Sequence, residues 1–460
     1  MTTLPIDAGD GLPTPRRHWA VAAIAIGLAM TVLNGSLANV ALPVIARDLD
    51  TTASRSVWIV NAFQIAVVVT LLPLSSLGDV LGYRKVFRAG VVVFTLASLA
   101  CALSTSLTTL VIARAIQGIG AAGIMAVNPA LIRFTYPREA LGRAMGLNAM
   151  VVATSAALGP TVAAAILALG PWQWLFAIAV PLGVVAFLLS TSTLPVTEPT
   201  PHPFDLPSAL LCALTFGLLL SGIDGIAHGQ GAVAVVVQLV AAVGLGVAFV
   251  MRQTNLPIPM LPVDIFRRPI FSLSVLSSVC SFTAQGAAFV ALPFYLQDVL
   301  GLTQVDTGLL MTPWPLAVGI AAPISGRLSD RYPAGLLGAL GLSILCAGLL
   351  LLAFLPAQPG HADIAWRMAV CGIGFGLFQS PNNRILINSV PRERSGSAGG
   401  VLSTARVMGQ TMGAALVALV FGLVTTHAAG PTLALLIGAG FAAVAVFTSS
   451  LRLAGFSRDS

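Results

Sequence analysis

Long apolar stretches separated by short polar gaps run through the whole chain. A helix needs about 20 apolar residues to cross the hydrocarbon core of a bilayer. Stretches of that length predict fourteen membrane spans, and the gaps between them leave no room for a soluble domain. The predicted spans are centred near Leu28, Ala66, Thr95, Ala121, Thr154, Pro181, Phe216, Leu239, Phe282, Pro315, Leu345, Gly374, Gly413 and Ile437.

The composition supports an all-α integral membrane protein. The chain is 57% hydrophobic and only 8% charged, with a mean hydropathy of +0.94, whereas soluble domains carry about 25% charged residues. The first apolar run has the length of a full span and lacks a small-residue cleavage site. We therefore expect it to remain as the first span, unlike a cleaved signal peptide.

The basic residues predict the orientation of the chain. With fourteen spans, most of them fall on the side that holds both termini, including Arg16 and Arg452, and only Arg47, Arg55 and Arg367 fall on the other side. Lys and Arg concentrate in cytoplasmic loops, so both termini are expected to be cytoplasmic. The net charge of +7 is then a topogenic signal. The chain has no basic patch that would indicate nucleic-acid binding.

Two proline-rich polar stretches, at 195–203 and 257–262, divide the spans into six, two and six. The halves resemble each other, since a Gly-Asp turn follows span two at 78–82 and a related turn follows span ten at 326–331. Internal repeats around a central pathway are typical of secondary transporters. The expected units are an N-terminal six-helix bundle, an inserted helix pair and a C-terminal six-helix bundle, at 1–197, 198–262 and 263–460.

Several motifs, taken in order, resemble a known family. Residues 78–85, GDVLGYRK, resemble the cytoplasmic loop signature of the major facilitator superfamily, and 110–122 resemble its fourth-helix signature. Gly146, Gly159 and Pro160 are similar to the fifth-helix motif of antiporters. Residues 39–43, NVALP, and the tryptophan-rich 172–183 resemble the fourteen-span drug:proton antiporter branch. The resemblance implies a monomeric multidrug exporter in the bacterial cytoplasmic (inner) membrane, with protons and a small molecule as its ligands.

The loop after span two predicts a conformational latch. Gly82 permits a tight turn, and Asp79 is suited to a neighbouring helix N-terminus, where the macrodipole favours an anion. Arg84 supplies a countercharge. The resemblance implies that such a latch closes in one transport state. A purely topogenic basic turn would explain Lys85 but not Asp79 between two glycines.

Two arginines, Arg114 and Arg406, lie deep in apolar stretches. A charge at the centre of a membrane helix costs about 2.5–3.5 kcal/mol on insertion scales, so it usually faces a cavity and has a function. Helical periodicity places Arg114 on one face with Gln117 and Asn128, and the resemblance links Arg114 to proton coupling. A structural arginine bonded to backbone carbonyls is the alternative. Arg406 shares a face with Gln410, and its structural and functional interpretations both stay open.

Span one departs from the drug-antiporter pattern. That branch usually carries an aspartate before the Asn39 motif, and this chain has Asn34, which cannot take up a proton. Proton coupling needs a group whose pKa changes as the cavity alternates. We therefore predict that coupling uses Asp79 or Asp224 together with Arg114, or differs from the family norm. Asp224, beside two glycines, is equally compatible with an interfacial loop.

Uncharged polar and aromatic residues on the spans predict the substrate pocket, because adaptable apolar walls with few polar groups suit varied amphipathic ligands. Each of these residues has packing as its alternative. The predicted substrate-binding residues are Asn34, Asn61, Gln64, Gln117, Asn148, Gln285, Trp314, Gln379, Asn382 and Arg406. Gly159 belongs to a small-residue face that allows close helix approach, and Pro160 is expected to bend its helix.

The leading prediction is export of amphipathic drugs or biocides by alternating access with proton antiport. The alternative is a dedicated exporter of an endogenous metabolite, such as a siderophore, antibiotic or amino-acid derivative, with atypical or no proton coupling. An enzyme or receptor is disfavoured, because the chain lacks a nucleotide-binding loop, a zinc-protease motif and a hydrolase triad signature. No cofactor and no metal site are expected.

Overall fold

The computed structural model describes residues 11–456 except 138–139, 198–203, 228–229, 257–258, 260–262, 330, 357, 389–394 and 425–428. Every regular element in these ranges is helical. A 3₁₀ turn, Val263–Arg267, precedes α11, and a π-helical turn, Tyr295–Val299, extends it. The helices are α1 (Arg16–Asp48), α2 (Ala53–Ser56), α3 (Trp58–Leu81), α4 (Tyr83–Ala102), α5 (Leu107–Thr135), α6 (Leu141–Leu169), α7 (Trp174–Ala177), α8 (Ala179–Thr193), α9 (Leu206–Ala227), α10 (Ala232–Thr254), α11 (Pro269–Phe294), α12 (Gln304–Met311), α13 (Pro313–Leu328), α14 (Ala334–Ala353), α15 (His361–Asn388), α16 (Ser395–Leu423) and α17 (Ala429–Phe456).

Local sequence signals set the helix ends near the predicted site. α5 begins after Ser106, whose hydroxyl accepts a hydrogen bond from the Thr109 N–H at 3.3 Å, while the Thr109 hydroxyl accepts from the Ser106 N–H at 3.3 Å. This capping box satisfies two donors that the first turn of a helix leaves free. α3 ends at Leu81, and the next residue, Gly82, has φ +93°. Only glycine adopts that conformation without steric cost, so Gly82 allows α4 to start directly afterwards.

Within the described residues, twelve helices are long and apolar enough to cross a membrane, two fewer than the fourteen predicted spans. The other two predicted positions are occupied by α9 and α15, which do not meet the requirement of length and hydropathy for a membrane span over their described residues. α15 carries Asp363, Arg367, Arg384 and several amides, which lower its hydropathy. In α9 only Leu206–Gly222 is described without a gap, and this apolar part is shorter than the roughly 20 residues a span needs.

α15 nevertheless runs the full length of its neighbour α14. Near one end, Arg367 donates a hydrogen bond to the carbonyl of Leu351, close to the end of α14. Near its other end, the Arg384 side chain donates to the Ser329 hydroxyl at 3.0 Å, a few residues before α14 begins. The two helices are therefore antiparallel and of similar extent.

Two bundles share one packing order, as the repeated sequence motifs predict. In the N-terminal bundle α5 packs against α3 and α4, and α1 packs against α6 and α8. In the C-terminal bundle α15 packs against α13 and α14, and α11 packs against α16 and α17 in the same way. Each half is thus built around two central pairings, which agrees with an internally repeated transporter fold.

Glycine pairs at equivalent places hold these pairings close. A Cβ added to Gly120 on α5 would meet the backbone of α4, including the Gly90 oxygen at 2.9 Å. A Cβ added to Gly374 on α15 would meet the Gly341 oxygen of α14 at 2.6 Å. Small residues let membrane helices approach until their backbones touch, so these glycines set the helix spacing in both bundles.

The helix pair between the bundles packs on one side of the molecule. α9 contacts α10, and it also contacts α3 of the N-terminal bundle and α16 of the C-terminal bundle. At the start of α9, the Asp205 carboxylate forms a 2.8 Å ion pair with Arg252 at the end of α10. Burial opposes ionisation of Asp205, but hydrogen bonds from Arg252 and Ser208 prevail and lower the pKa of its carboxyl group. This pair therefore fixes the two helix ends next to each other.

We predict that Gly120→Ala lowers the unfolding temperature of the purified protein by several degrees. The added methyl group would meet the backbone of α4, which cannot move aside as a side chain could, and overpacking costs about 1–3 kcal/mol. Thermal unfolding in detergent measures the effect. Gly319→Ala is the matched control, because a Cβ at Gly319 meets nothing within 4 Å, and it should leave the temperature unchanged or raise it. Equal stability of both variants would contradict the prediction.

Candidate substrate site

Arg114 on α5 is completely buried and joins three helices. Its Nε donates to the Ile59 carbonyl of α3 at 2.9 Å, and its Nη1 donates to Gln117 at 2.6 Å and to the Oδ1 atom of Asn34 on α1. The guanidinium lies over the Phe63 ring at 4.2 Å. The structure thus brings together three residues that the sequence predicted for the site, Arg114, Gln117 and Asn34. It also adds a backbone carbonyl, as the structural alternative for Arg114 required.

Among the described residues, no carboxylate neutralises Arg114. Every acceptor around it is a neutral amide or carbonyl oxygen, and its Nη2 atom has no hydrogen-bond partner. The Nδ2 atom of Asn34 is also buried without a partner. An aspartate at position 34 would have supplied the countercharge, so the departure seen in span one leaves a buried and uncompensated positive charge. Such a charge is costly unless hydrogen bonds satisfy it.

The network continues from Arg114 towards α4. The Gln117 Nε2 atom donates to the Ser98 hydroxyl at 2.7 Å, and that hydroxyl donates to the Phe94 carbonyl at 2.7 Å. This chain of hydrogen bonds fixes the orientation of the Gln117 amide. Its Nε2 atom faces Ser98, so its Oε1 atom faces Arg114. The guanidinium is held in one position by residues of α1, α3, α4 and α5.

The acidic residues lie away from this network. Each aspartate in a described helix lies within three residues of an end of that helix, and the other described aspartates lie in the segments that connect the long helices. Asp79 and Asp224, the two predicted coupling residues, both follow this rule, and the side chain of Asp224 lies outside the described part. The described helix interiors therefore contain arginines and amides but no carboxylate.

The predicted latch residues stay within the N-terminal bundle. Asp79 accepts a 2.5 Å hydrogen bond from the Tyr83 hydroxyl, and Arg84 donates to the Thr191 carbonyl at the end of α8. The Tyr83 N–H donates to Thr197 at 3.1 Å across the turn made by Gly82. Asp79 and Arg84 thus share one turn without pairing with each other. Closure of the latch against a neighbouring helix stays a prediction.

A second polar region lies on helices α16, α11 and α13 of the C-terminal bundle. Arg406 on α16 is half-buried and has no hydrogen-bond partner among the described residues. One turn further along α16, Gln410 donates to the Gln285 side chain of α11 at 3.5 Å. The Phe289 ring, one turn beyond Gln285, packs edge-on against the fully buried Trp314 at 5.2 Å. Three of the predicted substrate residues, Arg406, Gln285 and Trp314, thus lie along successive turns of the neighbouring helices α16, α11 and α13.

The remaining predicted residues occupy different environments. Asn61 is buried with neither amide atom paired, and the Oε1 atom of Gln64 is likewise buried and unpaired. Gln379 is half-buried on α15. Asn148 lies in a separate groove of the N-terminal bundle, between α1, α5 and α6, beside Ile24, Tyr136 and Val151.

Asn382 lies inside the C-terminal bundle as part of a cluster that sequence reasoning missed. Its Oδ1 atom accepts from Arg452 at 2.6 Å and its Nδ2 atom donates to Ser278 at 2.7 Å. Arg452, predicted only as a topogenic residue, is 2% exposed and also donates to Ser274 and Ser449. The serines recurring along one face of α11 were the signal that could have identified this cluster.

The residues of the antiporter-like motif lie on α6. A Cβ added to Gly159 would meet Ser36 of α1, so α1 and α6 approach closely there. Pro160 lies inside α6, and its carbonyl faces Gly308 of α12 in the other bundle. The surroundings of Gly146 lie outside the described part.

Four hydrogen bonds between described residues join the two bundles, and all lie towards one end of the molecule, which we call the Arg47 end. The opposite end, at the start of α1, is the Arg16 end. The four bonds are Arg47 to Gln297 at 3.1 Å, Gln297 to the Val40 carbonyl at 3.2 Å, Ser54 to the Ala418 carbonyl at 3.1 Å, and the Thr161 and Thr312 hydroxyls at 2.7 Å. The bundles are therefore held together at the Arg47 end.

Two helical bundles with the same packing order, built from helices long enough to cross a membrane, are typical of a membrane transporter. The chain belongs to the Major Facilitator Superfamily, whose family model matches residues 24–414. This membership, and the transporters it resembles, agree with the expectation that the protein is not an enzyme.

Relatives at several levels of similarity are transporters. The chain is 54% identical over 455 residues to the uncharacterized transporter YebQ of Escherichia coli K12, covering 98% of each chain. It is 29% identical to the riboflavin transporter RibZ of Clostridioides difficile, covering 90% of each. It is 30% identical to the multidrug resistance protein Stp of Mycobacterium tuberculosis, covering 86% of this chain and 74% of that protein.

A solved structure supports the fold. The inward-facing, unoccupied crystal structure of a bacterial homolog of the human lysosomal transporter Spinster superposes with a TM-score of 0.70. The match covers 96% of this chain and 97% of the other at 14% sequence identity. At that identity the comparison bears on the fold alone.

We predict that a disulfide between Thr161→Cys and Thr312→Cys stops transport. The two hydroxyls are 2.7 Å apart and belong to different bundles, so the cross-link would hold the Arg47 end closed. Oxidation should abolish transport in proteoliposomes, and a reductant should restore it.

The matched control is the pair Ser277→Cys and Thr448→Cys. These hydroxyls are 2.8 Å apart but both belong to the C-terminal bundle, so their cross-link should leave transport intact. Unchanged transport after complete cross-linking of the first pair would contradict the role given to the Arg47 end.

Proposed function

We propose that the protein exports amphipathic small molecules across the bacterial cytoplasmic (inner) membrane by alternating access, with proton antiport. The observation that carries this proposal is the polar and aromatic face of α16, α11 and α13, combined with the four hydrogen bonds between described residues that join the bundles, all towards the Arg47 end. A site enclosed by two repeats that rock against each other is the basis of alternating access. Similarity to a multidrug resistance protein supports export of drug-like compounds.

The orientation we propose places the Arg16 end in the cytoplasm. That end carries most of the basic residues, which are retained on the cytoplasmic side. The bonds at the Arg47 end then close the external side, so the polar face is accessible from the cytoplasm in this state. We further propose that α9 and α15 cross the membrane. α15 matches the extent of α14, and the ion pair of Asp205 with Arg252 aligns α9 with the span-length α10. The chain would then have fourteen spans, in a monomer with both termini cytoplasmic.

A dedicated exporter of one endogenous metabolite is the second candidate. It is favoured by the pairing of Arg114 with Asn34, because a multidrug:proton antiporter of this branch is expected to carry a carboxylate there. Similarity to a riboflavin transporter also supports a transporter with a defined small-molecule substrate. Substrate competition separates the two candidates, since a multidrug exporter accepts many structures and a dedicated one accepts few.

We predict that pump-deficient bacteria expressing the chain accumulate less of several lipophilic dyes, and that a protonophore abolishes the difference. Arg114→Ala should also abolish it, because the hydrogen bonds that join α1, α3 and α5 would be lost. Arg55→Ala, which removes an exposed arginine at the Arg47 end, is the control and should retain efflux. Well-expressed protein that exports none of the dyes would favour the dedicated exporter.

We predict that Asp79→Asn or Asp224→Asn uncouples transport from protons. In everted membrane vesicles, substrate addition to the wild type should release protons into the medium, and this signal should be lost in at least one variant. Asp50→Asn is the matched control, since Asp50 is exposed and has a positive φ of 46° that asparagine tolerates. Proton release that persists in both variants would overturn the assignment of these carboxylates.

A further inference from the structure

Arg406 differs from the other two arginines enclosed by the bundles. Arg114 and Arg452 are fully buried, and each donates hydrogen bonds to three neutral partners. Arg406 is only half-buried and donates to none of the described residues. A guanidinium has five N–H donors, and leaving them unpaired inside a protein is costly. The unpaired donors of Arg406 are therefore available to a ligand, whereas those of Arg114 and Arg452 bind other parts of the protein.

The faces of α16 place Arg406 towards the space between the bundles. Gly409 and Gly413 pack against Phe282 and Thr283 of α11. Val407 packs into the core of the N-terminal bundle. At 100° per residue, Arg406 lies between these two contact faces, on the same side as Gln410. Gln410 is the residue that bonds to Gln285 of α11, within the same bundle.

An aromatic surface follows Arg406 along the same face. Gln285 and Phe289 are one turn apart on α11, and Phe289 rests edge-on against Trp314, with an interplanar angle of 75°. At a rise of 1.5 Å per residue, two helix turns separate the level of Arg406 from that of Phe289 by about 12 Å. The face thus changes over this distance from a positive charge through two amides to an aromatic pair.

The surroundings leave the charge of Arg406 available. The described helix interiors hold no carboxylate, since every aspartate of the spans lies near a helix end. An anionic ligand would therefore meet a cation without competition from an internal ion pair. Guanidinium groups bind carboxylate and related oxyanions through two parallel hydrogen bonds, which also fix the orientation of the ligand.

We propose that the substrate is an amphipathic aromatic acid in its anionic form, with the acidic group bound by Arg406 and the ring directed along Gln285 towards Phe289. This inference rests on the proposed export function and names its substrate class. It also accounts for Asn34, because an exported anion gains about 2.3 kcal/mol per 100 mV from an inside-negative membrane potential. Export of such a substrate has a driving force that does not require a titratable group at position 34.

The test compares two dyes that share a xanthene ring system but carry opposite charge, anionic fluorescein and cationic rhodamine 123. Binding to the purified full-length protein in detergent is measured by fluorescence polarisation. We expect the wild type to bind fluorescein more tightly than rhodamine 123. Arg406→Gln should weaken fluorescein binding by roughly tenfold or more, equivalent to about 1.4 kcal/mol, and should leave rhodamine 123 binding unchanged or stronger. Arg406→Lys should retain part of the affinity for fluorescein.

Control variants separate the charge from the ring contact and from folding. Phe289→Leu should weaken the binding of both dyes, because it alters the aromatic surface and not the charge. Arg55→Gln, at an exposed arginine, should change neither. Each variant is accepted only if its unfolding temperature matches that of the wild type. Folded wild type that does not bind fluorescein, or fluorescein binding that Arg406→Gln leaves unchanged, would overturn the proposal.

Transport in cells distinguishes failure of the substrate class from failure of the export function. Efflux of rhodamine 123 without efflux of fluorescein would sustain export and overturn the anionic substrate. Arg406-dependent binding of fluorescein without efflux from cells loaded with its ester would sustain the anion site and overturn export. Efflux of fluorescein that Arg406→Gln abolishes would support both.

Discussion

The hydrogen bonds of one buried guanidinium hold the N-terminal bundle together. Arg114 reaches the Asn34 side chain of α1 and the Ile59 backbone of α3, and Gln117 extends the network to Ser98 of α4. All of these partners are neutral, so the positive charge faces dipoles and no opposite charge among the described residues, and its Nη2 atom has no partner there. Removing one partner would leave a buried donor unpaired, which costs more than the bond itself contributes. This requirement restricts how these four helices can move relative to one another, and it favours movement of the bundle as a unit.

Much of the fold could be predicted from the sequence because its signals are local. The run of apolar residues locates each helix, as at Leu28 in α1, and helical periodicity correctly places Arg114 beside Gln117. The number of spans was harder to predict, because α15 mixes an apolar middle with charged ends. The repeated turn after α3 predicts two similar halves, and the helices of the two halves pack in the same order, while the bounds of the three units stay a prediction.

The composition of the site depended on contacts between helices distant in sequence. Asn34 was predicted as a pocket residue, but its pairing with Arg114 joins positions 80 residues apart. Arg452 looked like a terminal basic residue, and only the packing of α17 against α11 buries it beside Ser274. A single sequence gives the helical face on which a side chain lies, but not the element that will cover that face. The difference between the paired Arg452 and the unpaired Arg406 could therefore not be predicted.

The position of the inserted helix pair makes the two sides of the transporter unequal. α9 contacts both α3 and α16, and it therefore covers the seam where the two bundles meet on that side. The other seam, formed by α6 with α12 and α13, is built by the bundles themselves. A lipophilic compound dissolved in the bilayer would find the first lateral opening occupied by protein. The inserted pair covers the first seam, and no described helix pair covers the second in the same way, so the two seams present different surfaces to the lipid.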